Sequence, residues 1–64
     1  MPDDRQQQHE IYFEFRVIGR NVKVSAIDAA TGVEVSVMGP ATASQADLQR
    51  LALQKLQAKL KAGG

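Results

Sequence analysis

Between Ile11 and Met38 the chain alternates apolar and polar side chains in three separate runs, each ended by a glycine or a turn-forming cluster. A period of two is the mark of a strand with one buried face, and no helix keeps it. Ile11, Phe13, Phe15 and Val17 interleave with Tyr12, Glu14 and Arg16; Val22, Val24 and Ala26 repeat the pattern, and Val33, Val35 and Val37 close it. A two-residue loop at Gly19-Arg20 sets Val17 opposite Val22 and Phe15 opposite Val24, which keeps the apolar residues on one side. Glycine at the first loop position suits a type II′ turn. The segment Asp28-Ala29-Ala30-Thr31-Gly32 begins with a carboxylate that caps turns and ends with a residue that tolerates positive φ, so it reads as a four- or five-residue hairpin loop. Two hairpins in succession make an antiparallel meander in the order 1-2-3.

Gly39-Pro40 should end the third strand, and Ser44 followed three residues later by Asp47 resembles a capping box. Residues 45–62 are nearly all good helix formers, and Gly63-Gly64 follows them. At 100° per residue Leu48, Ala52, Leu53, Leu56 and Leu60 share an arc of about 140°, while Leu51 lies about 60° outside it. The predicted fold class is therefore α+β, a three-stranded antiparallel meander with one C-terminal helix packed on one face (βββα). The domain is expected over residues 10–62, after a flexible polar tail over residues 1–9. Phe13 and Phe15 should share a core with Val24, Val35, Leu56 and Leu60. Phe15→Ala should therefore cost about 3–5 kcal/mol and leave the chain largely unfolded.

A core of this size is small, and domains near 64 residues usually need a disulfide, a metal or a partner for comfortable stability. Cysteine is absent and histidine occurs once, which removes disulfides and the usual zinc sites. Self-association is the staple that remains. Eight basic residues face seven acidic ones, a formal charge of +1, so any attraction to nucleic acid must be local. No apolar run approaches the roughly 20 residues of a membrane span, and Met1-Pro2-Asp3-Asp4 opens with acids where a signal peptide places cations. A cytoplasmic protein without a membrane segment is expected.

Catalytic, cofactor and metal residues are assigned to none. His9 beside Asp3, Asp4 and Glu10 lacks the fixed neighbours that a ligand or base requires. Ser25, Ser36 and Ser44 have no histidine base and no nucleophile-elbow glycines around them, and Gly19, Gly32 and Gly39 all read as turn residues. Ser44 reads as a helix cap rather than part of an anion site. The face away from the helix carries Tyr12, Ile18, Ile27 and Met38, which with Leu51 form a possible interface. A homodimer is expected through that face or through the open edge of the third strand, Val33–Met38. Arg16, Lys23, Arg50, Lys55 and Lys59 are the possible contacts to an anion or nucleic acid, although Lys61 and the other helix cations also complement the helix C-terminus.

Tyr12-Phe13-Glu14-Phe15-Arg16, Val22-Lys23-Val24-Ser25-Ala26-Ile27-Asp28, Thr31-Gly32-Val33-Glu34-Val35-Ser36 and Gly39-Pro40 resemble the recurring strand and turn signatures of a short uncharacterised domain family of alphaproteobacteria. The resemblance implies an unknown function. Some members of that family carry a serine hydroxymethyltransferase label, yet a pyridoxal-phosphate enzyme needs a Schiff-base lysine in an enclosed cofactor site larger than 64 residues can build. The βββα arrangement also resembles the C-terminal part of a double-stranded RNA-binding domain. There the last helix starts with phosphate-clamping lysines, where this chain has Ser44-Gln45-Ala46-Asp47, and the preceding helix is missing. The expected function is a non-enzymatic interaction or structural module that self-associates and binds another protein. The alternative is a nucleic-acid-binding accessory domain.

Overall fold

A computed structural model describes residues 10–63. The tail assigned to residues 1–9, and His9 with it, lies outside the described residues. Strands β1 (Ile11–Ile18), β2 (Asn21–Asp28) and β3 (Glu34–Pro40) form one antiparallel sheet in the order β1-β2-β3, and helix α1 (Gln45–Gly63) follows. The fold is βββα as the sequence predicts. Phe15 pairs with Val24, Val17 with Val22, Val24 with Val37 and Ala26 with Val35, so each alternating apolar set reaches the same sheet face.

Both hairpins follow local chemistry. Gly19 has φ +61° and no other residue of the Gly19-Arg20 loop has positive φ, the signature of a type II′ turn. In the second loop the buried Asp28 carboxylate holds the chain: Ala30 N–H donates to Oδ1 at 3.2 Å and Thr31 Oγ1 to Oδ2 at 2.9 Å. Gly32, at φ +77°, sends its N–H to the Asp28 carbonyl at 2.7 Å. At the helix start, Asp47 N–H donates to Ser44 Oγ at 3.2 Å, and Leu48 N–H makes the first turn's bond to the Ser44 carbonyl at 3.0 Å. Half of the capping box is thus formed. The Asp47 carboxylate instead accepts from Arg50 at 3.1 Å, an exposed pair worth little.

The core consists of Val22, Val24, Ala26, Val35, Leu48, Ala52 and Leu56. It belongs to β2, β3 and α1, because the helix packs mainly on those two strands, while Ile11 and Phe13 of β1 reach only its margin. One helix is about 10 Å wide and strands are spaced about 4.8 Å apart, so a single helix shields two strands fully and the third only in part: Ile11 and Phe13 are half-buried against the core, and the end of β1 from Phe15 onward is exposed. The short connection Ala41–Ser44 fixes which two, since the helix must land beside the strand it leaves. Phe15 therefore faces the helix layer but stays 40% exposed, and Val17 is 70% exposed. This corrects the expectation of a deeply buried Phe15. Phe15→Ala should cost about 1–2 kcal/mol and keep a cooperative melt, because much of the ring never leaves water. Thermal denaturation checks it; a loss of folding would show that β1 is covered after all.

Gly39 also departs from its expected role. It lies inside β3 opposite Val22 and not in a turn. A Cβ built there would stand 2.6 Å from Leu48 Cδ2, so the missing side chain is what lets the first turn of α1 settle on the sheet. Leu48 is itself buried and has little room to move. Gly39→Ala should destabilise by about 1–3 kcal/mol in urea titrations through overpacking. An unchanged midpoint would mean that Leu48 repacks freely.

Candidate functional site

The phase of the backbone hydrogen bonds decides what each sheet edge offers. Ala29 N–H donates to the Glu10 carbonyl at 3.0 Å, and Asp28 N–H to the Val33 carbonyl at 2.9 Å. Antiparallel ladders alternate, so Tyr12, Glu14 and Arg16 turn their amides and carbonyls toward β2, while Phe13, Phe15 and Val17 turn theirs outward. By the same count Glu34, Ser36 and Met38 face the outer edge of β3.

The two edges are unlike. On β3, Lys55 Nζ reaches over from the helix and donates to the Ser36 carbonyl at 2.8 Å, and Pro40 at the strand's end has no N–H. On β1 the outward backbone is accompanied by the uncovered side chains of Phe15 and Val17. A groove lined by Ile11, Gln57, Leu60 and Lys61 continues this flank along the C-terminal half of the helix. An open edge beside an apolar flank can accept an additional strand, with the backbone supplying hydrogen bonds and the side chains burial.

The residues named from sequence are dispersed. Tyr12 sits directly opposite Ile27, but Ile18 pairs with Asn21 and Met38 with Lys23, at the far end of the sheet and on opposite edges. The row of Glu14 and Ser25 separates Tyr12 and Ile27 from Met38, which shares its row with Arg16 and Lys23, and Ile18 lies one row further on. Leu51 is 51% exposed in the other layer, on the helix. These five do not form one patch. Tyr12 Oη donates to Glu10 Oε1 at 3.2 Å, and that bond, reinforced by the nearby carboxylate charge, holds the phenol above its ordinary value.

The cations are also divided. Arg16 and Lys23 line a polar depression with Glu14, Ser25 and Glu34 on the face away from the helix. Arg50, Lys55 and Lys59 belong to the helix layer, where Asp47 engages Arg50 and the Ser36 carbonyl engages Lys55. No group of His, Cys, Asp and Glu among the described residues could hold a metal ion. No helix among them is long and apolar enough to cross a membrane.

A family model described as a domain of unknown function (DUF6898) matches residues 8–63. The chain belongs to the DUF6898 family. The match takes in all three strands and the helix, so the bare β1 flank lies within the family's own domain. No curated protein and no solved structure matches this DUF6898 chain. Sequence periodicity assigned Phe15 to the core and placed Val17 on the same apolar face. The signal that could have found them is the mismatch between one helix and three strands.

Proposed function

We propose that this domain is a non-enzymatic, cytoplasmic interaction module that binds another polypeptide through β1. The observation that carries the reading is the offset of α1, which covers β2 and β3 and leaves Phe15 and Val17 exposed beside an unpaired strand edge. Open apolar edges are aggregation hazards unless something pairs with them. The absence of cysteine suits a reducing compartment.

The test is affinity capture from an extract of the source cells with wild type and Val17→Lys side by side. Val17 is 70% exposed, so the substitution should leave the melt nearly unchanged. Polypeptides retained by wild type and lost by Val17→Lys are the expected result. Equal retention by both would overturn the reading.

The separation of Arg16 and Lys23 from the helix cations supports this reading over nucleic-acid binding, because among the described residues these cations are split between the two layers and do not line one path for a phosphate backbone. Duplex RNA should bind no tighter than about 10⁻⁴ to 10⁻⁶ M at physiological salt, the range of non-specific attraction. A gel shift with submicromolar, duplex-selective affinity would favour the nucleic-acid alternative instead.

A further inference from the structure

We infer that the strand added to β1 is β1 of a second copy of this chain, paired antiparallel about a two-fold axis that passes through Phe15. This rests on the reading of β1 as a polypeptide-binding edge and names its occupant. The outward backbone groups of Phe13, Phe15 and Val17 allow self-pairing in a small set of registers, because only outward residues can face outward residues. In the register centred on Phe15, Phe13 meets Val17 of the second copy and Phe15 meets its own counterpart on the helix side. On the other face Glu14 meets Arg16, and Tyr12 meets Ile18. Every charged residue of β1 then faces its opposite, twice by symmetry.

The neighbouring registers lack this match. Sliding one hydrogen-bonded pair in one direction sets Glu14 against Glu14, and sliding in the other sets Arg16 against Arg16. Like charges directly opposite are destabilising in a sheet. Charge complementarity therefore selects both the occupant and its register.

The layer above the sheet agrees. Pairing through β1 gives a continuous six-stranded sheet with one helix over β2 and β3 of each half. The two helix axes would lie about four strand spacings apart, roughly 19 Å, and helices about 10 Å wide leave a trough of about 9 Å between them. That trough lies over the paired β1 strands, where Phe13, Phe15 and Val17 of both copies stand. Aromatic and β-branched side chains fill such a gap, and a cross-strand Phe pair on the axis contributes beyond its buried area. The β3 edges would remain outermost, where Lys55 already occupies the Ser36 carbonyl.

Charge reversal tests the register. Glu14 and Arg16 are both exposed, so Glu14→Arg and Arg16→Glu should each fold. In sedimentation equilibrium wild type should dimerise, whereas each variant alone places two like-charge pairs across the axis and should weaken dimerisation about tenfold or more. An equimolar mixture of the two variants should restore the dimer, since every cross-axis pair again has opposite signs. Rescue on mixing excludes misfolding as the cause of the single-variant defect. A wild type that stays monomeric across tens of micromolar, variants that dimerise like wild type, or a mixture that fails to restore association would each overturn the self-pairing. If self-pairing fails while Val17→Lys still loses a captured polypeptide, the edge is a docking site for a different protein; if Val17→Lys loses nothing and self-pairing also fails, β1 is not a binding edge.

Discussion

Leu56→Ala should leave the domain largely unfolded at room temperature. Leu56 is fully shielded from solvent near the middle of α1, in one core cluster with Val24, Ala26 and Val35 of the sheet and Ala52 on its own helix. Truncating a leucine at such a position costs about 2–5 kcal/mol, from lost transfer free energy plus the cavity left behind. A single core of this size rarely supplies more than about 3–5 kcal/mol in total. Circular dichroism should show a lost or strongly lowered melting transition. Leu51→Ala on the same helix is the control: Leu51 is 51% exposed and its truncation should leave the midpoint nearly unchanged. Equal effects of the two variants would mean that α1 presents a different face to the sheet.

Asp28→Ala should be the most damaging loop substitution. The carboxylate is fully buried at the end of β2, yet it organises the whole second hairpin by accepting from Ala30 N–H and Thr31 Oγ1. Thr31 passes the constraint on, since its hydroxyl oxygen accepts from Val33 N–H at 3.2 Å. Removing the acceptor strands donors in a part-buried loop and loosens the turn that aligns β3 with β2. Hydrogen bonds to a charged group contribute about 1.5–3 kcal/mol, and Asp28→Ala should cost an amount in that range. Asp28→Asn keeps one oxygen acceptor and should cost less. Urea unfolding of the two variants orders them; Asn at least as damaging as Ala would show that the negative charge, and not the accepted bonds, is what the loop requires.

The three strands, the turn at Gly19, the Asp28 loop, the Ser44 cap and the apolar arc of α1 are all legible in the sequence. Each depends on neighbours within a few residues, where periodicity and turn chemistry act directly. The sidedness of the sheet was legible too, because a period of two admits a single assignment once one hairpin register is set. The conformation behind Gly39 was not, since its reason is a leucine nine positions away that approaches only after the helix has docked.

The same boundary separates what each level determined about function. By itself the sequence determined the order of elements, which side chains point to which face, and the charges that alternate along β1. It could not determine which two of the three strands the helix would cover, and so it counted Phe15 with Val24 as core. Only the tertiary structure decided that, through the width of one helix against the spacing of three strands and the short tether between β3 and α1. Burial is a property of what lies above a residue, and periodicity records only the direction in which the residue points.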